Sequence, residues 1–187
     1  MPAWPSSPAR SPELRGLRLA AAALLCALSG AAPAQPSDLA VKAAFLTKFP
    51  AYVTWPASAQ PGAEAPFALC VIGDDPFGPR LDAAARGQQV DGHAVQVRRL
   101  GNAAAASDCR IAFVQAATPA ATSAVLDALA DKPILTVTDR GAAQGMVHFE
   151  IAEGRVRFRI DEAAARKSGL EINSRLLAIA LSVKRGP

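Results

Sequence analysis

The chain is poor in the residues from which most active sites are built. It has two histidines, His93 and His148, far apart and without a matching acid or nucleophile motif. Two histidines alone make a poor metal site, because a stable zinc centre needs three or four ligands. Neither G-x-S-x-G nor H-E-x-x-H occurs, which removes two common hydrolase signatures. The turn Gly73-Asp74-Asp75 lacks the G-x-G-x-x-G fingerprint, and two carboxylates at a helix start repel a phosphate. Aromatic residues make up only 5% of the chain and there is no lysine-rich block, so nucleic-acid binding has no support. We therefore expect no catalytic residue, no metal and no cofactor. His93, in a turn, and His148, in a hairpin, are expected to be titrating surface groups.

Long apolar runs are also scarce. Arg10, Arg15 and Arg18 precede one run, Leu19–Leu28, followed by Ala32-Pro33-Ala34. A basic start, an apolar stretch too short to span a bilayer and an A-x-A site together make an export signal. We expect residues 1–34 to be a signal peptide cleaved after Ala34, leaving residues 35–187 as one exported, soluble, periplasmic domain. Cys26 follows Leu25, where a lipoprotein signal wants a small residue, so a lipid anchor is not expected. Without the leader the chain carries 17 basic and 15 acidic residues, net +2 against +4 for the whole. The high pI of about 9.3 thus overstates its basicity.

Cysteine is nearly absent too. Cys70 and Cys109 are what the processed chain keeps, and there is no C-x-x-C redox motif. Both lie in or beside strand-like runs, Phe67–Ile72 and Cys109–Val114. In an oxidising compartment they form a bridge if those strands are neighbours, and are two buried thiols otherwise.

What the chain does have is a strong pattern at Gly145–Ile160, G-M-V-H-F-E-I-A-E-G-R-V-R-F-R-I. It predicts a β-hairpin turning at Glu153-Gly154. Ile151 then faces Val156, Phe149 faces Phe158 and Val147 faces Ile160 on one side. Glu150 faces Arg157, and His148 faces Arg159, on the other; a one-residue slip would destroy both matches. Arg155, Arg157 and Arg159 line one face, either as a solvated surface or as a dock for an acidic or polar partner.

Upstream, Ser37-Asp38 starts a helix through Lys48 that Pro50 stops, and Tyr52–Pro56 is an aromatic exit. Phe67–Ile72 is a buried strand, followed by a short helix to about Ala85 capped by Asp74 or Asp75 with Pro76 at its first position. Val95–Leu100, Cys109–Gln115 and Ile134–Thr138 are further strands, and Thr118-Pro119 opens a helix to about Ala130. After the hairpin, Asp161 caps a helix to about Lys167 ended by Gly169, and Asn173-Ser174 opens a last helix whose apolar face runs to Val183. The order predicts a single three-layer α/β domain, with a mixed, mostly parallel sheet flanked by helices and a C-terminal β-hairpin.

Several blocks taken together resemble a known family. They are V-K-A-A-F-L-T-K-F-P-A-Y-V-T-W-P from Val41, L-C-V-I-G-D-D-P-F-G from Leu69, the pair Cys70 and Cys109, and the tail G-M-V-H-F-E through A-R-K-S-G-L-E-I-N-S-R-L-L. They resemble the YfiR family of periplasmic proteins from about Val41 to Ala180. The resemblance implies an α/β domain that dimerises, has no enzymatic activity and represses a membrane-bound diguanylate cyclase of the YfiN type. It also implies release of that repression by an OmpA-like outer-membrane lipoprotein of the YfiB type. Cys70 and Cys109 match the family's structural disulfide; the second cysteine pair that some members carry near the hairpin is missing. Related domains are fused to histidine kinases and cyclases.

Two functions follow as expectations. One is a non-catalytic signalling protein that binds and inhibits an inner-membrane diguanylate cyclase through its periplasmic sensor domain. Phe149, Glu150, Arg157, Phe158 and Arg159 are its candidate contacts, since aromatic and arginine anchors dominate interfaces. The alternative is a small-molecule sensor domain acting on a histidine kinase or other membrane receptor. Its pocket would lie between the first and last helices, walled by Phe49, Tyr52 and Trp55, with Arg175 as a carboxylate anchor.

Overall fold

Ser37 opens the folded part of the chain by accepting the N–H of Ala40, which caps helix α1, Asp38–Lys48. The computed structural model describes Met1 and residues 37–186; the expected leader, beyond Met1, lies outside the described residues. Pro50 then forces a short 3-10 turn, Phe49–Tyr52. Strand β1 (Val53–Thr54) leaves it and pairs with the later β9 (Glu171–Ile172) as a separate two-stranded ribbon.

The main sheet has eight strands, in the order Ser182–Lys184 (β10), Arg155–Asp161 (β8), Val147–Ala152 (β7), Leu135–Thr138 (β6), Cys109–Gln115 (β5), Phe67–Gly73 (β2), His93–Leu100 (β4) and Gln89–Val90 (β3). Its centre is β2 (Phe67–Gly73), β5 (Cys109–Gln115) and β6 (Leu135–Thr138), almost continuously apolar and buried, as strands covered on both faces must be. β3 (Gln89–Val90) and β4 (His93–Leu100) extend one side. The hairpin β7 (Val147–Ala152) and β8 (Arg155–Asp161) extends the other. Side chains alternate across the central strands. Leu69, Val71, Ile111, Phe113, Leu135 and Val137 join one core with α1 and α2 (Pro79–Ala85). Cys70, Ile72, Ala112 and Val114 join a second with Leu129 of α3 (Pro119–Leu129). That is the expected three-layer α/β architecture, with a mixed and mostly parallel sheet.

The hairpin has the expected register, Val147 to Ile160, Phe149 to Phe158, Glu150 to Arg157 and Ile151 to Val156. Glu153 and Gly154 both take positive φ, 52° and 70°, the tight mirror-image turn that matches strand twist.

Cys70 and Cys109 are bonded, with Cα atoms 5.9 Å apart. A register shift makes this possible. Ala68 pairs with Cys109 but Leu69 with Ile111, so Arg110 is an extra residue in β5. Strict alternation would put Cys109 on the face of Ile111; the bulge turns it to the face of Cys70.

Two helix boundaries differ from expectation. Asp75 does not cap a helix starting at Pro76. It accepts the N–H groups of Phe77 and Gly78 in a local turn, and α2 begins at Pro79. Short-range carboxylate bonding of this kind competes with helix initiation. The last helix is also shorter. After α4 (Glu162–Lys167), α5 covers only Ser174–Ile179, and Val183 lies in β10 (Ser182–Lys184), which pairs parallel with β8. Val183 thus sits opposite Ile160, where a free strand edge takes it up.

Candidate functional site

The two faces of the hairpin have different fates. On the inner face, Phe149 and Phe158 pack against α1: Phe45 and Phe158 meet edge-to-face with centroids 5.4 Å apart, and Phe49 stacks on Phe149 at 5.8 Å. Phe149 and Phe158 are 0% and 2% exposed. The expectation that they present rings to a partner is corrected, because period-two alternation commits both to the core.

The outer face stays open. Arg155 and Arg159 are exposed, while Glu150 and Arg157 are half-buried. Arg159 Nε donates to Glu150 Oε2 at 2.7 Å. Arg155 and Arg157 have no ion-pair partner among the described residues. Ile151, at the hairpin end of the inner face, is half exposed. Glu150, Arg157 and Arg159 are therefore brought together on one accessible surface.

At the foot of this face His148 is buried, not a surface residue. Its Nδ1 lies 2.8 Å from Thr138 Oγ1, which also accepts the N–H of Gly145 at 2.9 Å. Among the described residues that hydroxyl has no other acceptor for its own proton, so we assign the proton to a bond to Nδ1 and the ring proton to Nε2. Burial pushes the imidazole below its ordinary value; the carboxylates of Asp139 and Glu150 pull the other way, and Arg159 and Lys42 add to the depression. Asp139 itself is locked to Lys42 of α1 by a buried ion pair of 2.6 Å. Sequence reasoning missed this cluster, although the threonine run at Thr136 and Thr138 just before a Gly-rich loop is a visible cue.

His93, half-buried, lies with Nδ1 2.7 Å from the carbonyl of Ala65. Among the described residues, no three His, Cys, Asp or Glu side chains are gathered as metal ligands.

A second concavity of about 320 Å³ runs between α1 and α5, lined by Val41, Phe45, Phe49, Tyr52, Leu176 and Ile179. Phe49 and Tyr52 are placed there as expected. Trp55 is not: it is buried edge-to-face on Phe67, 5.3 Å between centroids, where its area is worth more than in an open groove. Arg175 is exposed on α5 outside the groove lining, so it anchors nothing there.

With this geometry in hand, the chain was compared with known proteins. The family model described as YfiR/HmsC-like matches residues 39–181, from α1 to the residue before β10. The chain belongs to the YfiR/HmsC-like family. No match was found among curated proteins. The match spans both cores, the Cys70–Cys109 bond and the whole hairpin. YfiR-like proteins are periplasmic, regulatory and non-catalytic, and act in diguanylate cyclase signalling. Among the described residues no helix is long and apolar enough to cross a membrane.

Proposed function

We propose that this protein is a non-catalytic periplasmic regulator that binds the periplasmic sensor domain of an inner-membrane diguanylate cyclase and inhibits it. Family membership supplies the signalling context. The open arginine face of the hairpin is the observation that carries the docking surface. Arg157 and Arg159, with Glu150 orienting Arg159, form a donor-rich patch on a rigid two-stranded scaffold, the kind of surface that meets acidic or polar groups on a partner. The inner-face phenylalanines act behind it by fixing the hairpin to α1. A second copy of the chain and an OmpA-like outer-membrane lipoprotein are the further partners that the family likeness brings to this reading. The test is cellular. Deleting the gene in its own host raises cyclic-di-GMP if the protein represses a cyclase; an unchanged level in cells that express a periplasmic-sensor cyclase contradicts the proposal.

The groove between α1 and α5 favours a second reading alongside the first, a small-molecule sensor whose ligand reaches a histidine kinase or other membrane receptor through this domain. Its walls are apolar and Tyr52 is partly exposed, so the ligand would be aromatic or aliphatic. Thermal-shift screening against apolar metabolites, repeated with Tyr52→Ala, tests it; uniform absence of shifts contradicts it.

A further inference from the structure

We infer that the cavity at the foot of the hairpin's open face is a binding site for a small oxyanion, a carboxylate or phosphate group, held by His148, Arg159 and Lys184. The cavity measures about 440 Å³, within the range of small-ligand sites. Its walls include Gln144, His148, Arg159, Asp161, Ser182 and Lys184. Strand register gathers them. Arg159 sits across from His148, Ser182 lies beside Arg159, and Lys184 lies beside Asp161, so all five point to one side of the sheet.

The donors in this wall are unspent. His148 is only 8% exposed and its Nδ1 is committed to Thr138, which leaves the Nε2–H at the cavity without an acceptor among the described residues. Arg159 gives Nε to Glu150, and among the described residues no acceptor takes its two Nη groups. Lys184 gives one of its three donors to Asp161 at 2.8 Å. Among the described residues Asp161 is the one carboxylate in the wall, and it is already engaged by Lys184 and by the N–H of Ala164. A cation placed here would meet Arg159 and Lys184. An oxyanion would meet an exposed N–H fork, an exposed ammonium and a shielded imidazole N–H, two of the three donors carrying the charge that strengthens such bonds. This inference does not rest on the cyclase partner and can stand or fall apart from it.

The two histidines make the test direct. Histidine-labelled protein is titrated by NMR with inorganic phosphate and, separately, with succinate, at constant ionic strength set by chloride. The expected result is saturable movement of the His148 ring signals with at least one of the two probes while His93 stays still. Which probe acts tells a phosphate site from a carboxylate site. Arg159→Gln should weaken the apparent affinity about tenfold or more, the loss of one charge-assisted contact, whereas Arg175→Gln should not. No saturable movement with either probe into the tens of millimolar, equal movement of His93, or full binding by Arg159→Gln overturns the assignment.

Discussion

Glu150 lies directly across the hairpin from Arg157, yet its carboxylate takes the Nε–H of Arg159, two residues along the same strand, at 2.7 Å. The diagonal choice leaves Arg157 free on the open face. Solvent and salt screen an exposed pair of this kind, so these charges are poor candidates for holding the fold. Arg157→Glu and Arg159→Glu should each leave the urea unfolding midpoint close to that of wild type. A marked fall would make them structural.

Phe149 and Phe158 behave oppositely. Each sits in the phenylalanine cluster with Phe45 and Phe49, so truncation opens a cavity that the sheet cannot close. Phe149→Ala or Phe158→Ala should cost about 3–5 kcal/mol of stability by denaturant titration. An unchanged stability would return these rings to the surface role their sequence context suggested.

The Cys70–Cys109 bond closes a stretch with a sequence separation of 39 inside a buried strand pair. Replacing both by Ser should lower stability by about 4 kcal/mol, on the loop-entropy estimate. Urea titrations of the double variant against wild type under oxidising conditions measure it, and a loss under about 1 kcal/mol would mean that the two cores alone fix the strands.

Much of this was legible in the sequence because the hairpin over-determines itself. Apolar pairs and a turn at Glu153-Gly154 agree on one register, and the structure has it. The parallel centre was legible from short apolar runs bounded by turns. Three things were not. Whether Phe149 faces a partner or the core depends on α1, a hundred residues upstream. Val183 reads as helical by spacing, but an unpaired edge of β8 captures it as strand. His148 looks exposed on an alternating strand until Thr138 bonds its ring and Ala142, Gln144 and Gly145 line the cavity beside it. In these three a long-range contact overrides a local pattern, whereas at Asp75 one local pattern displaces another.

The burial of His148 also sets a pH dependence. Its folded value lies below the ordinary 6.5 because of burial, so the unfolded chain takes up a proton that the folded chain refuses. Stability from this group is complete above about pH 6.5 and falls as pH drops towards the folded value. Thermal melts at about pH 7.5 and about pH 5.5 should therefore show a smaller acid loss in His148→Gln than in wild type. Identical losses would mean that the imidazole does not titrate differently on folding.

The central claim is that the open hairpin face occupies a sensor domain of a membrane cyclase. It is tested most directly by binding of the purified protein to the isolated periplasmic domains of the host's diguanylate cyclases, with wild type beside the double variant Arg157→Glu, Arg159→Glu. One domain should bind wild type, and its affinity for the folded double variant should be at least about a hundredfold weaker. Equal binding by the two proteins, or binding to none of the domains, would contradict it.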